Sequence, residues 1–333
     1  MILIGIGLGA VTQDEVTKLV DSGEHMKVEQ YLEEKNVQPI KKPCKPKHQQ
    51  RKPLECDMLI YDLETSGFRK DAEITQLACV DIKGEREFST YIMPKRAIDP
   101  SASKVTGLSV GYSQGVRVLC KDGKPVEADD LQTALKGFSD FLNQPSNKPV
   151  LLVAHNGQSF DAPRIVFHIE AEDLIESFPS DILFGDSLIA SRKFFKRKNH
   201  LKLSDIYYET FKQQFSAHDA LQDCKALQAI LSKYGNTLQE QVCQTETPLQ
   251  YYRATRQYHS LLTSVKDSYA GHLTTSRVVN RLANIGVSFT LLRDLYQSCG
   301  KAALISFLAG KSRGHVRVTE DIGELCKILK RVS

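Results

Sequence analysis

The chain has 333 residues, room for one large domain plus one or two small ones. Its 41% hydrophobic and 25% charged content is that of a globular protein, and no apolar run approaches the roughly 20 residues of a membrane span, so no membrane partner is expected. A formal net charge of +4 is modest for a nucleic-acid binder, and eight scattered cysteines without a CxxC pair point to reduced thiols inside a cell, in nucleus or cytoplasm, against a disulfide framework or a zinc site.

The opening string MILIGIGLGA is short and lacks a basic flank, so it is a poor signal peptide. Its GIGLGA lacks the preceding strand and the βαβ unit of a dinucleotide loop. Thr12 with Glu15 forms a capping-box pattern before a short helix that Gly23 could end, and MKVEQYLEE predicts a second helix. Residues 41–53 (KKPCKPKHQQRKP) carry almost no apolar side chains and read as a basic linker. Residues 1–53 are therefore expected to be a helical extension and linker.

From 54 to 240 strand-like and helix-like segments alternate. MLIYDLE is apolar on both faces, as a central buried strand is. EITQLACVDI and EFSTYIM, joined by a Lys-Gly turn, predict an antiparallel meander. A short helix near 102–107, a hairpin at Asp122-Gly123 and a helix over 129–142 follow. PVLLVAH is another buried strand, and DAPRIVFHIEAE is a helix that tolerates Pro163 in its first turn. A strand near 181–186 leads to helices over 201–212 and 217–233. The whole predicts an α/β domain with a mixed sheet. Residues 241–333 show no convincing strand and predict a separate all-helical C-terminal domain.

Three short motifs carry the chemistry. Asp62 and Glu64, in YDLETSG, are two positions apart on a strand and point to one face. Ionised acids at the end of so apolar a strand need compensation. Thr65, Ser66 and Gly67 open a loop where backbone can approach a ligand. Asp161, in HNGQSFDAPRI, follows a strand and opens a helix; taken singly it reads as an N-cap, and Asn156 and Phe160 as turn-fixing residues. In SAHDALQDCKALQAIL, Ser216 with Asp219 resembles a capping box, placing His218 in the first turn and Asp223 about 7.5 Å farther along the axis. Acids gathered in one place repel unless cations join them, and hard oxygen donors select Mg2+ or Mn2+.

Together these motifs resemble those of the DEDDh, or DnaQ-like, 3′–5′ exonucleases of the ribonuclease H-like superfamily. D-x-E is Asp62 and Glu64, N-x-x-x-F-D runs from Asn156 to Asp161, and H-x-A-x-x-D runs from His218 to Asp223. DLETSGFRKDAEITQLACV and PSASKVTGLSV resemble the animal three-prime repair exonucleases, and still more the exonuclease-like C-terminal domain of promyelocytic leukaemia protein. The resemblance covers roughly 54–240, and more loosely the helical tail. It implies a ribonuclease H-like mixed five-stranded sheet flanked by helices. It also implies two Mg2+ ions per site (Mn2+ being possible), one held by Asp62, Glu64 and Asp223, the other bridged by Asp62 and substrate with Asp161 helping through water. His218 would be the general base, releasing nucleoside 5′-monophosphates from 3′ ends. Thr65, Ser66, Gly107, Leu108, Asn156 and Phe160 would contact the terminal nucleotide.

The expected partner is single-stranded or 3′-ended nucleic acid, DNA before RNA, with a protein partner possible through the C-terminal helices. Two readings of the run 192–202 stand side by side. Arg192, Lys193, Lys196, Arg197 and Lys198 could track phosphates while Phe194 or Phe195 stacks on bases, or the cations are merely solvated and the rings packed. The alternative to an enzyme is a non-catalytic interaction module on the same fold. A retired enzyme should have lost acids or the histidine, and all five are present.

Overall fold

The computed structural model describes residues 11–46, 51–69, 71–143, 147–272, 275–312 and 315–333. The GIGLGA string and residues 47–50 of the basic linker lie outside them. The chain divides into two units, one comprising Cys44–Ala254 and the other Met1–Pro43 with Thr255–Ser333.

Two helices open the described chain, α1 (Gln13–Asp21) and α2 (His25–Glu34), and Thr12 caps the first by accepting from Glu15 N–H. Helices of nine and ten residues are marginal by themselves. Each gains its place by burying an apolar side chain, Val16 and Val28, in a core with Leu282, Leu292, Leu304, Leu308 and Ile328. The helices of the extension expected over 1–53 share a core with the C-terminal helices.

The other unit is built on β1 (Asp57–Thr65), β2 (Ile74–Asp81) and β3 (Glu87–Tyr91), the antiparallel meander the sequence predicts. Then come α3 (Pro100–Thr106), β4 (Leu108–Ser113), β5 (Val116–Lys121), β6 (Lys124–Val126) and α4 (Leu131–Leu142). β7 (Val150–Ala154) and α5 (Asp161–Ala171) precede β8 (Leu183–Asp186), α6 (Ser187–Phe194) and α7 (Leu203–Phe211). α8 (Ala220–Cys243) is kinked at Gly235, whose φ of 57° is non-helical, and β9 (Thr247–Pro248) closes the sheet.

The main sheet runs β3-β2-β1-β7-β8-β9, with β1, β7 and β8 parallel. It is the expected mixed α/β sheet with one strand more than the five expected, because Thr247 and Pro248 pair with Phe184 and Leu183. Two residues are too few to show a period. β4-β5-β6 form a sheet of their own.

Alternation along β1 sorts the two faces. Leu59, Tyr61 and Leu63 pack with Leu135 and Phe138 of α4 and Ile165 and Val166 of α5. Met58 and Ile60 pack with Cys224, Leu227 and Leu231 of α8. Each such buried aliphatic side chain contributes about 1.5–3 kcal/mol. Asp62 and Glu64 continue the second series, so the strand aims both acids toward the α8 face.

α9 (Leu249–Asp267) buries Leu249 and Tyr252, both of which join the sheet core with Phe184. The division into units falls within α9, not at 240. α10 (Ser276–Asn284), α11 (Phe289–Ala309, kinked at Gly300) and α12 (Ile322–Val332) complete the helical unit, with a short pair β10 (Lys311–Ser312) and β11 (His315–Val316). Among the described residues no helix is long and apolar enough to cross a membrane.

Candidate active site

At the end of β1 the apolar run stops and two acids follow. Asp62, Glu64 and Asp223 bring one carboxylate oxygen each to within 4.8 Å of one another. They lie on the floor of a cavity of about 400 Å³, with Asp161, Asn156, Phe160, Thr65 and His218 on its walls. The cavity therefore brings together the five residues of the three motifs and three of the six expected nucleotide contacts.

Local structure explains each placement. Asp161 is the first residue of α5, and its carboxylate accepts the backbone N–H of Leu63, stitching the second motif to the strand of the first. The turn before it needs Asn156 at φ 68°, a left-handed conformation asparagine tolerates, and Asn156 O accepts from Ser159 and Phe160 N–H. Gly157 is required there because a Cβ would stand 2.7 Å from that of Ala154. Asp186, buried at the end of β8, caps α6 through Leu188 and Ile189 N–H and also accepts from Gln158 N–H, tying the turn to the sheet.

The third motif departs from expectation. Asp219 is the N-cap of α8, accepting from Gln222 N–H, so His218 lies outside the helix at φ 66°. Asp219 wins the capping role from Ser216 because its carboxylate also meets Gln76, Tyr91 and Lys121. The predicted axial separation does not apply: His218 N–H donates to Asp223 Oδ2 at 2.7 Å.

Ser66, Gly107 and Leu108 do not line the cavity. Ser66 is buried, its Oγ accepting from Glu73 N–H at 3.0 Å. Gly107 ends α3 at φ 70° and Leu108 is buried behind the wall. Thr65 is on the wall, with its hydroxyl donating to Gly67 O. None of the basic side chains from 192 to 198 lines the cavity. Arg197 pairs with Glu209 at 2.6 Å and Lys193 reaches Gln244. Phe194, Phe195 and Tyr234 pack ring against ring, which favours the packed reading of the two phenylalanines.

Three residues of the site escaped the sequence reading. Phe68, just past the TSG loop, is exposed and forms a wall of the cavity. His155 also lines it, its ring held between Ser187 Oγ and Leu201 O; its position next to Asn156 was the available signal. Arg164, one turn into α5, is buried. Its guanidinium donates to Phe160 O, Phe68 O and Arg69 O and lies 3.7 Å over the Phe160 ring, so it ties the loop after β1 to the start of α5.

Crowding shows in the acidities. Burial first, then the charges of Asp161, Asp223 and Glu64, hold Asp62 well above the carboxylate range. Burial and Asp223 push Glu64 up to about 8, with Lys121 opposing. Burial pushes Asp161 up to about 8 against the Leu63 N–H and Arg164, and Asp223 to about 6. Asp62, Glu64 and Asp223 are half-buried and line the cavity with the buried Asp161, and a divalent cation there would reverse the penalty. An all-oxygen donor set of this charge fits Mg2+ or Mn2+. His218 moves the other way: partial burial, then Lys121 and Lys202, hold its imidazole below the ordinary value.

Residues 59–112 match the model of the exonuclease family RNase_T. That stretch lies within the sheet unit and includes the first of the three motifs. Two curated relatives agree. One is exonuclease DPD1 of Arabidopsis thaliana (chloroplastic/mitochondrial), 28% identical over 185 residues, covering 53% of this chain and 55% of its own. The other is an uncharacterized exonuclease, R569, of Acanthamoeba polyphaga mimivirus, 36% identical over 207 residues, covering 52% and 57%. The chain thus spans little more than half the length of the curated relatives it matches. Among solved structures, an E. coli ExoI–ssDNA complex in its zinc-bound form is similar at TM-score 0.44 and 14% identity, covering 67% of this chain and 46% of that one. A 3′-exonuclease that recognises the histone mRNA stem-loop scores 0.43 at 16% identity, covering 54% and 64%. Likeness of that degree fixes neither activity nor substrate.

Proposed function

We propose that this chain is a metal-dependent 3′–5′ exonuclease that releases nucleoside 5′-monophosphates from nucleic-acid 3′ ends, DNA before RNA. The observation that carries the reading is the convergence of Asp62, Glu64 and Asp223 within 4.8 Å, in a cavity walled by Asp161 and His218. The exonuclease-family match over 59–112 supports it.

Asp62, Glu64 and Asp223 would hold the divalent ions, with Asp161 beside them. A bound pair supplies Lewis-acid stabilisation of the phosphoryl group and a water of lowered pKa. The His218 imidazole, neutral at pH 7, takes the proton of the attacking water. The bond from its backbone to Asp223 keeps the base in register with the acid cluster. Thr65, Phe68, Asn156 and Phe160 form the walls against which the terminal nucleotide is held. The described cysteines are free thiols, which suits an intracellular setting in nucleus or cytoplasm.

The test uses 5′-labelled DNA and RNA oligonucleotides, single- and double-stranded, with Mg2+ or with chelator. A ladder descending one nucleotide at a time from the 3′ end, absent in chelator and absent with Asp62→Ala, is expected. Turnover by a pure Asp62→Ala protein would refute the assignment.

A further inference from the structure

Residues directly opposite one another on antiparallel neighbours share a face of the sheet. Gln76 of β2 stands opposite Glu64 of β1, and Tyr91 of β3 stands opposite Gln76. Glu64, Gln76 and Tyr91 therefore form one row across three strands, on the face that α8 covers. The first is an acid of the cation site. The other two reach the start of α8.

Gln76 is 2% exposed, and both ends of its amide are used. Its Oε1 accepts the N–H of Ala220 at 3.1 Å. Ala220 is the first residue of α8, so that N–H has no helical carbonyl to donate to. The bond fixes which way the amide lies, and its Nε2 donates to Asp219 Oδ2 at 3.5 Å. Tyr91 donates its hydroxyl to the same oxygen at 3.4 Å, and Lys121 Nζ stands 3.8 Å from it. The two residues that follow His218 are thus pinned to the sheet.

His218 needs such support. Its φ of 66° is a left-handed conformation that persists where the surroundings over-determine it. It precedes the N-cap, outside the helical ladder, and its N–H donates to Asp223 Oδ2 at 2.7 Å. Asp223 is better anchored. Its own N–H donates to Asp219 O at 2.9 Å, and the next residue, Cys224, is buried against the sheet.

We propose that Gln76, backed by Tyr91, is the positioning residue for the general base: it holds Asp219 and Ala220 so that His218 keeps its place beside the acids. The inference rests on the exonuclease reading and extends it to a residue outside the three motifs. Gln76 does not line the cavity, so it acts through His218 and not on the substrate. Its loss should cost turnover, and neither substrate nor cation binding.

The experiment measures kcat and KM of the full chain on single-stranded DNA, and its Mg2+ affinity by calorimetry. The proteins are wild type, Gln76→Met, Tyr91→Phe, His218→Gln and the double variant Gln76→Met with His218→Gln. Methionine keeps the length of the side chain and gives up both hydrogen bonds. In Gln76→Met kcat falls roughly ten- to hundred-fold, the order of loss for a group displaced by about 1 Å, and in Tyr91→Phe it falls less. KM and Mg2+ affinity stay at their wild-type values in both. In the double variant the Gln76 change costs nothing beyond His218→Gln, since no base is left to position. Losses that multiply in the double variant, a wild-type kcat in Gln76→Met, or a loss that comes with raised KM or weakened Mg2+ binding overturns the inference and leaves Gln76 a structural contact. Should Gln76→Met not fold, the same cycle with Tyr91→Phe decides: a wild-type kcat, or a loss that multiplies with that of His218→Gln, overturns it. A wild type that does not cleave sinks the exonuclease reading and this inference with it.

Discussion

Replacing Glu64 by glutamine should make the metal-free protein more stable while removing its activity. A carboxyl whose folded-state pKa is raised keeps its proton longer in the folded chain than in the unfolded one. Folding is then penalised progressively as pH rises from the ordinary 4.5 toward 8, and Glu64 sits at about 8. At about 1.4 kcal/mol per pH unit the full penalty above pH 8 is about 5 kcal/mol. The cleft admits solvent and the four acids share the strain, so a working figure is about half that, 2–3 kcal/mol. For a domain of this size each kcal/mol moves Tm by roughly 2–4 °C. Glu64→Gln should therefore melt roughly 5–10 °C above wild type in chelator at pH 8, and at the wild-type temperature near pH 5. Adding Mg2+ at pH 8 should raise the wild-type Tm and move that of the variant much less. Thermal melts across pH 5–8, with and without Mg2+, decide the matter. A variant no more stable than wild type at pH 8 in chelator would show that the carboxyls are not crowded, and the cation-site argument would fail.

Three further outcomes are expected. His218→Gln should cut kcat by roughly 10²–10⁴ and remove the acid limb of the pH–rate profile, which in wild type should set in at a lower pH than an ordinary histidine would give, because partial burial, then Lys121 and Lys202, hold the imidazole below its ordinary value; an unaltered profile in the variant would remove His218 from the chemistry. Arg164→Met strands three carbonyl acceptors in two loops and should cost about 2–4 kcal/mol in denaturant unfolding, with KM raised through the Phe68 wall; a variant of wild-type stability and KM would contradict the clamp. Gly157→Ala meets Ala154 Cβ and should reposition the Asn156–Asp161 turn, lowering activity about ten-fold or more at a stability cost of about 1–3 kcal/mol. Comparing its kcat/KM and melting temperature with those of wild type checks both.

A protein shortened near residue 240 is a poor probe of what the C-terminal helices do. It would delete β9 and the Leu249 and Tyr252 side chains from the sheet core, and strip α1 and α2 of the helices they pack with.

The alternation of MLIYDLET already placed Asp62 and Glu64 on one face, because a strand's period of two is written in consecutive residues. The buried strand VLLVA, the hairpin at Asp122-Gly123 and the apolar stripe of α8 were legible for the same reason. The three motifs hold the five residues that converge on the cavity. What no local pattern held was decided by packing. Asp219 caps α8 because Gln76, Tyr91 and Lys121, far away in sequence, surround it, and that leaves His218 left-handed outside the helix. Arg164 joins two loops about 95 residues apart, a contact with no periodic signature. α1 and α2 look like an appendage until Val16 and Val28 find a core more than 200 residues downstream, since side-chain burial depends on which surfaces meet and not on their order along the chain.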